Sequence, residues 1–326
     1  MFLIKDKCKR LMSKITIVTK TYNREHLLPR TVKSVLSQTF RDFEYLLINN
    51  GSTDGTQILI DSYCKEDKRI RNIFYSFNST ASPVSAERKW WLDISTPYCM
   101  VIDDDDFMEP ITAETLYNLI TEYNADISCV GSKHVFPDGS MKDKFVFDGT
   151  YLFNRIEAMT EMLRRAKFNA ASGGKLFRTC LLDIEFPNVK KIRDIHASYR
   201  RMNNIHRMVV HGKPLYYFYR HDGNISGLET QEQITPEKMR QHLDANRTRT
   251  EWLTEHMPEI KDFVFYCELS FMISLYERIY RLDVQPCFNI AQEMKEILFR
   301  HSAFLQGQNF CTEREKEILK TIFIDY

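Results

Sequence analysis

Short β-branched runs alternate with segments of helical spacing through the N-terminal part of the chain. The strand-like runs cover residues 14–19, 43–48, 70–77 and 97–102. Between them, apolar residues recur three and four positions apart in the segments 25–38, 57–65 and 82–94. Alternating strands and helices are typical of a doubly wound α/β sheet. We therefore predict a Rossmann-like, mostly parallel sheet in which ligands bind beyond the carboxyl ends of the strands.

Four consecutive carboxylates follow the fourth strand-like run, in which Val101 and Ile102 lead into Asp103–Asp106. Like charges side by side repel one another and resist burial, and carboxylate oxygens are the ligands that Mg²⁺ and Mn²⁺ prefer. The run therefore indicates a metal site, with a solvated acidic turn as the alternative. Because side chains alternate along a strand, we expect Asp103 and Asp105 to share the working face. Asp104 and Asp106 would then support them or face solvent.

Polar clusters end three of the predicted strands, at residues 19–24, 49–54 and 103–106. The carboxyl ends of parallel strands meet at one edge of a sheet, so these clusters should line a single crevice. Asn49–Asp54 also has the composition of a turn that leads into a helix. Asp54 is therefore expected to cap that helix rather than to contact a ligand.

Strand signals give way to helical spacing in the C-terminal part of the chain. Helices are predicted over 236–256, 259–282, 288–301 and 311–323, and Thr235 followed by Pro236 indicates an N-cap. We predict an all-helical C-terminal region over residues 231–326, after an α/β catalytic domain over residues 1–230.

Composition excludes several classes of protein. The 326 residues carry a formal net charge of +1, which gives no reason to expect a nucleic-acid partner. No apolar run approaches the roughly 20 residues of a membrane-spanning helix, and the apolar N-terminus is too short for a signal peptide. The eight cysteines have no paired C-x-x-C spacing, which favours a reducing cytoplasm. The basic cluster within Lys5–Arg10 leaves peripheral contact with the inner face of the plasma membrane open, and oligomerisation is open as well.

Five segments occur in an order and at spacings that resemble one enzyme family. They are Ile17–Arg24, Val35–Phe40, Ile48–Thr56, Val84–Arg88 and Ile102–Asp106. The family is the inverting nucleotide-sugar glycosyltransferases of family 2, which have the GT-A fold. The resemblance covers residues from about 14 to about 226 and leaves the helical tail outside it.

The resemblance implies roles for particular residues. The nucleotide side of the site would be formed by Thr19, Tyr22, Arg24, Asn50, Arg88, Asp103 and Asp104. Asp105 and His221 would hold Mn²⁺ or Mg²⁺, and Asp194 would deprotonate the acceptor hydroxyl. Without the family pattern, His221 reads as a loop histidine and Asp194 as a helix N-cap. Asn50 stands where the family usually has an aspartate, and Arg193 where it usually has a glutamate.

The function that these residues imply is transfer of a sugar from a nucleoside-diphosphate sugar, such as a UDP-sugar, with inversion. The acceptor would be a hydroxyl of a glycan or a lipid-linked molecule in bacterial surface polysaccharide synthesis. Two alternatives stay open: a nucleotidyltransferase, and a non-catalytic nucleotide- or carbohydrate-binding protein with a decayed site. The sequence does not identify the donor sugar, the acceptor or the linkage.

Overall fold

The computed structural model describes residues 13–78, 90–184, 193–221, 228, 230–307 and 309–323, and omits the side chains of residues 193 and 194. The chain divides into two compact units. The first comprises Met1–Arg155, Ala171–Lys190 and Asn204–His221, and the second comprises Ile156–Ala170, Lys191–Asn203 and Asp222–Tyr326. The second unit thus includes segments from the middle of the chain. The predicted boundary near residue 230 stays a prediction.

The first unit is built on a ten-stranded mixed sheet. Its strands are β1 (Ile15–Thr21), β2 (Phe43–Asn49), β3 (Ile70–Phe74), β4 (Tyr98–Val101), β5 (Phe107–Met108), β6 (Ile127–Val135), β7 (Met141–Phe145), β8 (Thr150–Asn154), β9 (Lys175–Arg178) and β10 (Arg207–Tyr219). Their order is β3-β2-β1-β4-β9-β6-β10-β5, with β7 on β6 and β8 on β10. Strands β1 to β4 are mutually parallel, as are β6 and β10, whereas β5, β7, β8 and β9 pair antiparallel. The predicted α/β class is confirmed.

Both faces of the parallel strands are covered, which explains their nearly continuous apolar sequences. On one face, Ile17 packs with Val32 of α1 (Leu28–Leu36) and Leu116 of α3 (Thr112–Glu122) in one buried cluster. The helix α2 (Thr56–Glu66) adds Ile60 to this cluster. On the other face, the next residue, Val18, packs in a separate cluster that includes Trp90 and Trp91. The side-chain alternation of a strand thus supplies both cores.

Two predicted elements differ from the structure. The predicted helix 82–94 falls largely outside the described residues, and its end forms a short 3₁₀ helix over Trp90–Asp93. The predicted strands 208–210 and 215–219 form the single long strand β10, whose pairing with β6 shifts register on either side of Pro214. Proline lacks the N–H that a ladder requires, so an apparent break in the sequence is an irregularity within one strand.

The second unit is helical. Its helices are α4 (Arg155–Arg164), α5 (Arg193–Asn203), α6 (Pro236–His256), α7 (Lys261–Arg281), α8 (Phe288–Arg300), α9 (Ser302–Gly307) and α10 (Glu313–Ile322). The predicted C-terminal helices are confirmed to within a few residues, and α9 was not predicted. The Thr235 hydroxyl accepts a hydrogen bond from the Lys238 N–H at 3.3 Å, as its predicted N-cap role requires. Within the described residues, no helix is long and apolar enough to cross a membrane.

Candidate active site

The polar segments that follow β1 and β2 meet through backbone and amide contacts. The Asn50 N–H donates to the Thr21 carbonyl at 2.8 Å, and the Thr53 N–H donates to Asn23 Oδ1 at 2.8 Å. Gly51 makes this turn possible, because its φ is +80° and a Cβ atom there would lie 2.4 Å from the Phe77 carbonyl carbon. The Ile102 N–H joins the acidic segment to the same edge by donating to the Val18 carbonyl at 3.0 Å. The predicted convergence of the three polar clusters is confirmed.

The four aspartates form a turn after β4, not an extension of the strand. The Asp106 N–H donates to the Asp103 carbonyl at 3.2 Å, which closes the turn. Asp103 is exposed, Asp104 and Asp105 are partly buried, and Asp106 is only 3% exposed. The expectation that Asp103 and Asp105 share a face by strand alternation is therefore wrong, because alternation ends where the strand ends.

Helix α1 holds this acidic turn by its carbonyl groups. The buried Thr31 hydroxyl lies 3.0 Å from the Asp104 carbonyl oxygen and 2.7 Å from that of Asp106. The Arg30 guanidinium donates to the Asp105 carbonyl at 2.6 Å. Its Cζ atom lies 3.9 Å from the centre of the Tyr219 ring, a cation–π contact. The backbone of the turn is thereby fixed from one side.

Asp106 anchors the turn from the other side. Its carboxyl accepts a hydrogen bond from the Tyr216 hydroxyl at 2.7 Å and another from the Tyr219 N–H at 3.0 Å. Burial raises the pKa of Asp106 well above its ordinary value, and the charges of Asp103 and Asp105 raise it further. Asp106 therefore has a positioning role inside the fold, and the expectation that it supports the other acids is confirmed.

Asp105 and His221 lie together, as the family pattern implies. Asp105 Oδ2 is 3.0 Å from His221 Nε2, although the two residues are 116 positions apart in the chain. His221 follows β10, so the pairing of this strand with β5 brings it to the acidic turn. A carboxylate oxygen and an imidazole nitrogen are both suitable ligands for a divalent transition metal. Within the described residues, no group of three or more His, Cys, Asp and Glu side chains could hold a metal ion by itself.

Asp104 lies on the nucleotide side that the resemblance implies, next to Arg24. Arg24 Nε is 3.8 Å from Asp104 Oδ1. Burial raises the pKa of Asp104 to about 6, and the Asp105 charge adds to this shift. The Thr21 hydroxyl, the Arg24 charge and the Tyr22 backbone amide act in the opposite direction. The turn thus holds its carboxylates at a high electrostatic cost, which a bound cation would reduce.

Three residues predicted to bind the nucleotide have different surroundings. Thr19 is fully buried, and its hydroxyl lies 2.9 Å from the Tyr45 hydroxyl within the sheet. Tyr22 is 39% exposed. Asn50 is 2% exposed, and its Nδ2 donates to Asn78 Oδ1 at 2.9 Å. Their roles in nucleotide binding stay predictions.

Asp54 has the capping role that its sequence context favours. Its Oδ1 atom accepts from the Thr56 N–H at 3.0 Å at the start of α2. Its other oxygen accepts from the Glu25 N–H at 3.3 Å, which ties the two polar loops together.

Two predicted site residues fall outside what the structure describes. Arg88 belongs to the undescribed segment 79–89. Asp194 lies in the backbone of α5, and its side chain is not among those described. Their roles stay predictions.

Sequence reasoning missed the residues that hold the acidic turn, namely Arg30, Thr31 and Tyr216. None of them stands in a recognisable motif. The available signals were a threonine within the apolar face of α1 and a tyrosine at a core position of β10, and such residues are more often plain packing elements.

Comparison with known proteins agrees with this architecture. The family model described as Glycosyl transferase family 2 matches residues 16–178, which is half of the chain. "Glycosyltransferase GlyA" of Streptococcus pneumoniae is 27% identical over 230 residues, 67% of this chain and 32% of GlyA. "Poly(ribitol-phosphate) beta-N-acetylglucosaminyltransferase TarP" of Staphylococcus aureus is 27% identical over 175 residues, 53% of this chain and 51% of TarP. The chain thus spans about a third and about half of these relatives.

Solved structures of S. aureus TarS share the fold. The crystal structure of TarS residues 1–349 matches with a TM-score of 0.61 at 18% identity, covering 94% of this chain and 84% of that one. The complex of the same protein with UDP-GlcNAc matches with a TM-score of 0.57 at 19% identity, over 92% and 95% of the two chains. Together with the ordered motifs, the GT-A type fold and the matching family model, these relatives lead to one conclusion. The chain belongs to glycosyl transferase family 2.

Proposed function

We propose that this glycosyltransferase is a metal-dependent, inverting enzyme that uses a nucleoside-diphosphate sugar of the UDP type. Its acceptor would be a hydroxyl of a glycan or a lipid-linked molecule in bacterial surface polysaccharide synthesis. The observation that carries the proposal is the contact of Asp105 with His221 at the end of the parallel strands. TarS, which shares the fold, binds UDP-GlcNAc, and TarP by its name modifies a surface polymer.

The residues at this edge of the sheet fit a divalent cation. Asp105 and His221 offer one oxygen and one nitrogen donor, and the exposed Asp103 stands on the same turn. Mn²⁺ and Mg²⁺ need more ligands than these, and the diphosphate of the donor would supply them. When bound, the ion would neutralise the charge that grows on the departing diphosphate. This division predicts weak metal binding without nucleotide.

The nucleotide would lie along the loops that follow β1 and β2. Arg24 would face its phosphates, because its guanidinium is already held beside the acidic turn by Asp104. Asn50 stands where the base is expected and would accept a hydrogen bond from it through Oδ1. Its Nδ2 is directed at Asn78, so the oxygen end is the one turned elsewhere.

We assign the general base to Asp194 on the strength of the family pattern. The acceptor oxygen would bond to the anomeric carbon as its proton passes to the Asp194 carboxylate. The bond from that carbon to the phosphate oxygen would break on the opposite face, and its electron pair would leave with the nucleoside diphosphate. Attack and departure on opposite faces invert the anomeric centre, and a positioned base accelerates such a step by about 10²–10⁴-fold.

The experiment has a binding arm and a turnover arm. Thermal shift with UDP, with and without Mn²⁺, should show stabilisation of the wild type mainly when both are present. Asp105→Asn should remove the Mn²⁺-dependent part. Asp138→Asn is the matched control, because Asp138 caps an exposed hairpin through the Ser140 N–H. Unchanged Mn²⁺ dependence in Asp105→Asn would refute the metal assignment.

Turnover is measured as hydrolysis or transfer across a panel of nucleotide sugars. Asp194→Asn should bind UDP and Mn²⁺ normally but lose transfer by about 10²-fold or more. Transfer near the wild-type rate would refute the base assignment. If UDP binds and no donor in the panel turns over, the non-catalytic alternative is favoured.

A further inference from the structure

Helices α5 and α6 of the second unit carry buried polar side chains that lack hydrogen-bond partners. His196 and Tyr199 lie three positions apart on α5 and therefore on one face of it. They are 5% and 0% exposed. His196 Nδ1, the Tyr199 hydroxyl and Nε of Arg249 on α6 are all buried, and none has a hydrogen-bond partner among the described residues. Buried polar atoms are paired in nearly all native structures, so this set requires an explanation.

The two helices pack closely at this point. The rings of Tyr199 and of Trp252, on α6, have centroids 5.2 Å apart. The Cζ atom of Arg200 lies 5.3 Å from the Tyr199 ring centre and 5.4 Å from that of Trp252. Aromatic contacts and a shared cation therefore fix the helix pair. The unpaired atoms belong to an ordered interface between helices.

Positive charge dominates the surroundings of these groups. Burial raises the pKa of the Tyr199 phenol, and the charges of Arg200 and Arg249 oppose that shift, which places both guanidinium groups near it. The charge of Arg165 also acts on Arg249. The carboxylate that faces Arg249 is Glu268, whose own pKa is raised by burial. Three guanidinium groups thus stand against one partly neutralised carboxylate.

We propose that His196, Tyr199 and Arg249 form a phosphate-binding site, here termed the α5–α6 site. A phosphate presents only acceptor oxygens, which suit a guanidinium N–H, a phenolic O–H and an imidazole N–H. Its tetrahedral oxygens can serve donors that arrive from two helices, whereas a carboxylate offers only two. The site lies in the second unit, so it is additional to the donor-sugar site proposed on the sheet of the first.

The test titrates the full chain with inorganic phosphate and follows thermal stability, with sodium chloride matched for ionic strength. The wild type should be stabilised by phosphate beyond the effect of chloride. Arg249→Met should weaken the apparent Kd by about tenfold or more, and Tyr199→Phe by about threefold to tenfold, because charged and neutral donors differ in strength. Arg247→Met is the matched control, since Arg247 lies on α6 and pairs with Asp244. It should retain the wild-type response.

A readout without phosphate separates this role from a structural one. Replacing a buried, incompletely paired charge by an apolar side chain of similar length should leave stability unchanged or higher. A structural Arg249 would give the reverse: Arg249→Met would melt earlier without phosphate and keep the phosphate response. Two other results would also overturn the proposal. They are a wild type that responds equally to phosphate and chloride, and a Tyr199→Phe variant whose Kd is unchanged.

Two further ligands identify the source of the phosphate. Glycerophosphoglycerol, a phosphodiester, should bind more tightly than inorganic phosphate if the site holds a link of a polymer, and less tightly if it holds free phosphate or a monoester. Acetate at the same ionic strength should have the effect of chloride. An acetate response equal to that of phosphate would overturn the phosphate assignment.

Discussion

The anchor of the acidic turn is tested by Tyr216→Phe. This change removes one hydroxyl and keeps the ring, which packs on Gly173 so closely that a Cβ atom there would lie 2.7 Å from it. The lost bond joins the Tyr216 hydroxyl to Asp106 Oδ2 at 2.7 Å, and both residues are buried. The Asp106 carboxyl would still accept from the Tyr219 N–H.

The expected cost follows from the burial of this pair. A hydrogen bond contributes about 1 kcal/mol between neutral groups and up to about 3 kcal/mol to a charged one. The raised pKa of Asp106 places this bond between the two limits. We expect Tyr216→Phe to lower the free energy of unfolding by about 2 kcal/mol. For a folding unit of this size, the shift in Tm would be about 4–8 °C.

Activity should fall by more than the stability loss explains. Asp106 sets the position of Asp103–Asp105, and small misplacements of catalytic groups can cost up to about 10²-fold in rate. We expect kcat/KM to fall by about tenfold when it is measured well below the Tm of the variant. Tyr217→Phe is the control, because the neighbouring Tyr217 hydroxyl donates to Glu109 at 2.6 Å, away from the acidic turn. That variant should lose stability but keep turnover.

A double-mutant cycle with Asp106→Asn decides whether the two groups act through each other. Since they are in contact, the coupling energy should be at least about 1 kcal/mol. Coupling near zero would refute the anchoring role. So would a Tyr216→Phe variant with turnover like the wild type and a stability loss below about 0.5 kcal/mol.

Two further predictions concern charge and capping. Because the folded-state pKa of Asp104 is raised to about 6, its contribution to stability is full below the unfolded pKa of about 4 and is lost as pH rises to about 6, up to about 3 kcal/mol. Urea unfolding without metal should show that Asp104→Asn flattens this fall, and an unchanged pH slope would contradict it. Thr312→Ala removes a reciprocal cap in which Thr312 and Glu315 each accept the other's backbone N–H. It should lower the free energy of unfolding by about 1 kcal/mol with turnover unchanged, and a loss of activity would contradict a purely structural role.

Much of the fold was predictable because its signals are local. The periodicities that separated strands from helices over residues 14–124 reflect which faces each element buries. The N-cap at Thr235 and the turn at Gly51 follow from backbone chemistry that a few residues determine. The meeting of the polar loops after β1, β2 and β4 follows from parallel pairing alone, since this pairing places all carboxyl ends at one edge.

The arrangement of the acidic turn was not predictable from local signals. Sequence alternation gave Asp103 and Asp105 one face, but the strand stops at Val101 and a turn follows. Where a carboxylate points after a strand ends depends on which donors surround it. Those donors come from α1 and β10, about 75 and 110 positions away.

The sequence by itself determined the fold class, the edge of the sheet that carries the site, and the residue types available there. Tertiary structure alone decided which of the aspartates is buried as an anchor and which is exposed. It also brought His221 to Asp105, and it left His196, Tyr199 and Arg249 buried without partners. The physical reason is the range of the interactions. Periodicity and capping act within a few residues, whereas burial and hydrogen bonding of side chains depend on neighbours that only the folded chain supplies.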